Sequence, residues 1–242
     1  MDTNTIKNTH IKHELLNKLP DWCKGDISPD MYYLVCTDDM DSLFSCDRLH
    51  TVFGLEIGGF YDFKSGLWLN KERTGYGWKT PIYVDLSIAN NQYCYDNHRT
   101  LIQNTNAVNP NVIATKYYEK YNFGTIALVA ALYGGVNKMS EELKTILLAI
   151  DGGFIGYYNK DGKYAYVNLY WLEKLGLTEY LVPILKKHDM KYFQDFSVKH
   201  NLYDKIIITS DGYLDTPTYR VPDYQFELVQ PIQKVFASKY EV

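Results

Sequence analysis

Met31-Tyr32-Tyr33-Leu34-Val35-Cys36 is an unbroken apolar run between Ser28-Pro29-Asp30 and Thr37-Asp38-Asp39. A strand apolar at every position has to be covered on both faces, and that is the condition of a parallel sheet in an α/β protein. The stretch from Asp41 predicts a helix, with Leu43, Phe44, Leu49 and Phe53 apolar and Gly54 as its stop. Further strands are predicted over Leu55–Tyr61 and Pro81–Leu86, with an extended or hairpin piece at Gly66–Leu69 and a polar loop over Asn70–Thr80. Ile11, Leu15, Leu16 and Leu19 fall near helical spacing before Pro20, which predicts a leading helix. Strands alternating with helices make the expected class α/β, a parallel sheet flanked by helices.

From Ala114 the pattern is helical, over Thr115–Tyr121, then Gly124–Tyr133, then Ser140–Ile150, the last with Ser140 as its cap. Past Asp151-Gly152-Gly153, Tyr and Lys become more frequent. A helix is predicted over Leu169–Lys187, a strand over Lys205–Thr209 and a turn at Asp211-Gly212-Tyr213. Residues 1-155 therefore read as the α/β core, and 156-242 as a smaller Tyr-rich region, a candidate substrate-selecting cap.

Composition narrows the partners. The 242 residues carry a formal net charge of −4, with 23 Tyr against four Arg. Tight nonspecific binding of a long duplex needs a row of phosphate-neutralising cations, which this balance does not supply. Aromatic rings can stack on bases without positive charge, so a mononucleotide or short single strand fits better. No apolar run reaches the roughly 18 residues of a membrane helix, and the polar start Met1–Leu16 has no signal-peptide core. Cys23, Cys36, Cys46 and Cys94 contain no Cys-x-x-Cys pair and read as reduced thiols. The expectation is a cytoplasmic protein with no membrane partner; the sequence leaves the oligomeric state open.

The chemistry lies in where the aspartates fall. Asp39 and Asp41 follow the first apolar strand, Asp85 ends another, Asp96 with His98 follows the short apolar stretch Tyr93-Cys94-Tyr95, and Asp151 ends an apolar helix. One Asp at such a junction is an ordinary helix cap or turn residue. The carboxyl ends of parallel strands face one crevice, and several carboxylates gathered there repel unless protonated or bridged by a cation. Oxygen ligands suit Mg²⁺ or Mn²⁺.

The ordered series resembles the DHH phosphoesterase superfamily over residues 30 to 155. The Asp-x-Asp-x-x-x-Ser motif is matched by Asp39-Met40-Asp41-Ser42-Leu43-Phe44-Ser45, the lone strand-ending Asp by Asp85, the Asp-His-His motif by Asp96-Asn97-His98, and the last Asp by Asp151. Asn109-Pro110 and the small-residue segment 124–135 fall where family members carry similar features. Two positions depart. Val35 stands where the family has a metal-binding His four residues before the first Asp, and Asn97 replaces the first His of the third motif. No Gly-rich, His-ending motif follows Gly156.

The resemblance implies a hydrolase of phosphodiester or phosphoanhydride bonds in a small nucleotide or short single-stranded oligonucleotide, dependent on one or two Mn²⁺ or Mg²⁺ ions. One ion would be held by Asp41, Asp85, Asn97 and Asp151. A weaker second site would use Asp39 and Asp85, with Asp85 bridging. His98 would contact a phosphate oxygen or protonate the leaving oxygen, with Asp96 orienting it. Arg99 is a candidate phosphate clamp or, equally, a structural arginine turned away from His98. Ser42 and Ser45 read as helix-capping residues, not nucleophiles. The alternative is a weakened relative that binds or sequesters a nucleotide without turnover, as Val35 and Asn97 suggest.

Overall fold

A computed structural model describes residues 9–72, 77 and 79–231. Parts of the polar N-terminal stretch and of the loop expected over 70–80 lie outside the described residues. The strands are β1 (Tyr32–Thr37), β2 (Ile57–Asp62), β3 (Gly66–Asn70), β4 (Thr80–Val84), β5 (Tyr93–Tyr95), β6 (Ala107–Val108), β7 (Ile207–Ile208), β8 (Leu214–Asp215) and β9 (Phe226–Pro231). Seven of them form a central sheet in the order β6-β5-β4-β1-β2-β3-β9, while β7 and β8 pair separately. The five strands from β6 to β2 run parallel; β3 and β9 are antiparallel additions at one edge. The fold is mixed α/β with a mostly parallel sheet.

Strand β1 is central and shows why an all-apolar run was required. Leu34 and Cys36 enter the large core shared with the helices, whereas Tyr33 and Val35 join Tyr61, Tyr83 and Cys94 in a second cluster on the opposite face. Period-two alternation buries both sets. The helices are α1 (His13–Leu16), α2 (Met40–Phe53), α3 (Thr125–Tyr133), α4 (Glu141–Ala149), α5 (Ile155–Gly162), α6 (Ala165–Lys174), α7 (Thr178–Lys187) and α8 (Met190–Lys199). Helix α3 is buried at every position from Thr125 to Tyr133, which explains its small residues: Ala127, Ala130 and Ala131 let neighbouring elements approach closely.

Several expectations need correction. The leading helix is only one turn long, because Lys12 donates its amide to the Lys174 carbonyl (2.9 Å) and the segment runs extended against α6. Residues 115–121 hold one 3₁₀ turn, Tyr117–Glu119, flanked by extended Lys116 and Lys120; the Tyr121 amide is taken by Asn111 Oδ1 at 2.8 Å. The helix expected over Leu169–Lys187 is two helices, α6 and α7. The strand expected over Lys205–Thr209 shortens to β7. Helices α5 and α8 and edge strand β9 have no counterpart among the elements expected from the sequence. Apart from these corrections, contacts are made across residue 155: Phe154 stacks on Phe193 with ring centroids 5.1 Å apart, and β9 pairs with β3.

The break between α6 and α7 has a single cause. Gly176 has φ 66°, its amide donates to Glu173 O, and the Leu177 amide donates to Leu172 O. Those two bonds satisfy the last carbonyls of α6 in the manner of a Schellman cap. A Cβ on Gly176 would run into the carbonyl of His10. Gly176→Ala is therefore expected to destabilise the fold by about 2–4 kcal/mol through left-handed strain and steric clash. The urea midpoint measures it; a value within about 0.5 kcal/mol of wild type contradicts this packing.

The chain leaves β1 toward β2 on one side and returns to β4 on the other side of β1. Carboxyl ends of parallel strands diverge at such a switch point and leave a crevice between them. Asp39, Asp41, Asp85 and Asp96 follow β1, β4 and β5, so they collect at that end; Asp151 reaches them from the turn after α4.

Candidate metal centre

Asp39 caps α2, its Oδ1 accepting the Ser42 amide at 3.1 Å. That bond uses one oxygen of the first motif carboxylate for structure. Asp39 also approaches Lys205 Nζ at 3.8 Å, and a backbone bridge joins the two residues. Ser42 takes the strut role, accepting from the Thr37 amide (2.8 Å) and donating to the Val84 carbonyl (2.9 Å), so it ties β1 to β4 at the crevice. The helix cap expected of Ser42 is supplied by Asp39 instead.

Asp41, in the first turn of α2, is buried. Its Oδ2 accepts the Thr125 amide at 2.6 Å and its Oδ1 the Ile126 amide at 2.9 Å. A carboxylate on one helix thus caps the N-terminus of another, where the partial positive charge of α3 favours it. Gly124 makes this approach possible: a Cβ there would meet the Asp41 carboxylate and the Ile150 side chain. Thr125 turns its hydroxyl to Asp85 Oδ1 at 3.0 Å, linking α3 to β4.

Asp85 and Asp151 share an uncommon backbone, with φ 57° and 54°. Left-handed geometry is sparsely populated by non-glycine residues, Asp and Asn being the readiest to adopt it. At Asp85 it turns the chain off β4 immediately after the Asp85 amide has bonded the Tyr95 carbonyl (2.8 Å). Asp151 does the same after α4. Carboxylate oxygens of Asp41, Asp85 and Asp151 come within 4.8 Å of one another.

The electrostatics follow. Burial pushes the Asp41 carboxyl well above the ordinary carboxylate range, and Asp151, Asp85 and Asp39 push it further, against the Ile126 amide. Burial also raises Asp85, with Asp39, Asp151 and Asp96 adding to it and His98 opposing. Asp151 is the exposed member, yet desolvation and Asp39 raise its carboxyl too, while the Asn97 hydrogen bond pulls it down. Three acids this close hold protons or a cation. Hard oxygens, two of them buried and already oriented by amide and hydroxyl donors, fit Mg²⁺ or Mn²⁺.

Asn97 meets the cluster as a donor. Its Nδ2 faces Asp151 Oδ2 (3.1 Å) and the Phe123 carbonyl (3.3 Å). A carbonyl can only accept, so the NH₂ end is the one held there, and the amide oxygen that a ligand role needs points elsewhere. Asp96 is buried and holds His98 twice, accepting at Oδ1 from the His98 amide (3.0 Å) and lying 2.7 Å from His98 Nδ1. Burial alone would lower the His98 pKa. The Asp96 hydrogen bond and charge, with Asp85 and Asp151 nearby, outweigh it and raise the imidazolium to about 9. Asn109 secures the pair, donating to Asp96 Oδ2 (3.0 Å) and the His98 carbonyl (2.7 Å).

These residues open onto a cleft of about 590 Å³. Asp39, Asp85, Asn97, His98 and Asp151 line it; Arg99 does not, and its Nη1 is buried with no hydrogen-bond partner among the described residues. Tyr117, Tyr118, Lys120 and Tyr164, with Asn122 and Asn168, line the same cleft; the sequence does not single them out. Asn168 is fully buried, donating to the Gly153 carbonyl (2.6 Å) and accepting from Asn122 (2.8 Å). Nothing in the local pattern of 117–122 marks Tyr117, Tyr118, Lys120 and Asn122, which reach the cleft from a 3₁₀ turn and the irregular chain after it, while Tyr164 and Asn168 come from the start of α6. Tyr219 and Tyr224, from the Tyr-rich C-terminal region, line a separate groove with Phe44 and His50. Compared with family models, curated proteins and solved structures, the chain matches none. Among the described residues no helix is long and apolar enough to cross a membrane.

Proposed function

We propose that the chain is a metal-dependent phosphoesterase of the DHH type, hydrolysing a phosphodiester or phosphoanhydride in a small nucleotide or short oligonucleotide. One observation carries the reading: three carboxylates, one on α2 and two in the turns after β4 and α4, come within 4.8 Å of one another beside an open cleft. The ionised arrangement is unfavourable without a cation, and two of its members adopt left-handed backbone to reach it. Asp41, Asp85 and Asp151 would hold the ion, with Asp39 at the rim for a second. Bound there, Mg²⁺ or Mn²⁺ supplies a Lewis acid toward phosphorus and a water of lowered pKa.

The chain's own groups do the rest. Asp96 takes Nδ1 of His98 and leaves Nε2–H as the donor for a phosphate or leaving oxygen. The raised pKa keeps that proton in place at neutral pH. Asn109 stops Asp96 from rotating away. The expected result is hydrolysis of a base-free diester such as methyl p-nitrophenyl phosphate, or of a nucleotide panel, with Mn²⁺ or Mg²⁺ and none with EDTA. No turnover on any of them with either ion overturns the proposal.

A second reading has its own observation. Asn97 aims an NH₂ group at Asp151, a contact that stabilises the carboxylate without a metal. A protein that retains a nucleotide intact would show tight binding with Mn²⁺ and no product release in the same assay.

A further inference from the structure

The outer wall of the cleft has a pattern that the hydrolytic site does not use. Tyr118, Tyr117 and Tyr170 are exposed to 54%, 45% and 39%, and Tyr166 to 50%. Lysines sit over the rings: Lys120 is 4.9 Å from the Tyr117 ring centroid, Lys116 5.5 Å from Tyr118, Lys163 5.5 Å from Tyr164 and Lys174 5.2 Å from Tyr170. Tyr117, Tyr118 and Tyr164 face the cleft that holds the acids, Tyr166 and Tyr170 face an adjoining hollow of about 280 Å³, and Val167 lines both. The aromatic surface thus runs outward from the carboxylate cluster. At its inner end Asn122 Oδ1 is buried with no hydrogen-bond partner among the described residues, an acceptor ready for an N–H or hydroxyl donor.

We infer that this Tyr–Lys rim is a stacking track for the bases of a single-stranded oligonucleotide, with its inner phosphodiester directed at the acids. The inference rests on the phosphoesterase reading for that direction. Flat rings left in solvent beside a cleft lose their exposure when a base covers them, and every base has a face to offer. A duplex hides its base faces and would leave the rings unused. The lysines add point charges for single phosphates and hold the rings by cation–π contact. Glu119 near Lys116, and Glu14 and Glu173 on Lys174, offset part of that charge. Stacking, not a broad basic field, therefore carries the recognition.

The test is fluorescence anisotropy with the full-length protein and a labelled single-stranded hexanucleotide, in EDTA and again in Ca²⁺. Comparison ligands are an abasic chain of the same length and a duplex. We expect the single strand to bind at least about tenfold more tightly than either. The double variant Tyr118→Ala, Tyr166→Ala should weaken it by about tenfold or more, whereas Tyr203→Ala, exposed but outside both hollows, should not. Both tyrosines of the double variant are exposed, so loss of folding is not the expected cause. Equal affinity for abasic and base-bearing chains, no binding in either buffer, or an unaffected double variant overturns the inference. Hydrolysis of methyl p-nitrophenyl phosphate by the wild-type protein reports the acid cluster alone, so failure of the track and failure of the phosphoesterase reading give different results.

Discussion

Asp85→Asn should abolish metal-dependent hydrolysis, by at least about 10³-fold, and at the same time make the metal-free protein more stable. Asparagine tolerates the left-handed φ of 57° at this position, and its oxygen can still accept the Thr125 hydroxyl. What is lost is one negative charge among four neighbours, in a buried place where burial and Asp39 already work against ionisation. Removing a strained functional charge commonly returns about 0.5–2 kcal/mol of stability. Manganese affinity, measured by calorimetry, should fall by more than the roughly 10–100-fold that loss of a supporting hydrogen bond to a ligand costs. A variant that is inactive and also less stable without metal would instead mark Asp85 as a structural residue.

Asp85 is a cleaner probe than Asp41 for a reason that only the structure shows. Both oxygens of Asp41 cap α3 through the Thr125 and Ile126 amides, so Asp41→Asn also damages a helix terminus. One of its two acceptors would become an NH₂ group facing an N–H. Loss of activity at Asp41 would mix the two effects.

The elements legible in the sequence are those governed by local rules. β1 and β4 announce themselves as apolar runs bounded by Pro, Asp and Ser, α2 and α4 by apolar spacing with Gly54 as a stop and Ser140 as a cap, and α3 by its run of small apolar residues. The aspartates were legible because parallel strands bring their carboxyl ends to one side whatever the loop details. The remainder depends on contacts between distant residues. That Gly176 leaves no room for any side chain depends on the carbonyl of His10, a residue far away in sequence. Strand β9 lies at an edge, pairs with β3 alone and alternates too weakly to stand out. The direction of the Asn97 amide is set by the carbonyl of Phe123, 26 positions away, and the tyrosine rim is built from 117–118 and 164–170, which no local pattern joins.

The pH dependence of stability separates an acid cluster that waits for a cation from one stabilised by the fold. Asp41, Asp85 and Asp151 have carboxyls raised in the folded state. A group raised on folding contributes stability that is complete below its unfolded pKa and is lost as pH rises through the folded one. His98 acts in the same direction: raised from 6.5 to about 9, its contribution is complete below 6.5 and disappears by 9. Ordinary carboxylates are ionised in both states above about pH 6 and add no slope there. Through His98 the melting temperature of the metal-free protein should therefore fall between about pH 6.5 and 9. Saturating Mn²⁺ binds the ionised carboxylates, so its stabilising effect should grow over the same interval, reaching about 2.7 kcal/mol when the free ion is a hundredfold above its dissociation constant. Asp85→Asn should flatten both trends. If the metal-free protein instead gained stability from pH 6 to 9, the carboxylates would be neutralised by their own surroundings, and the case for a bound cation would fail.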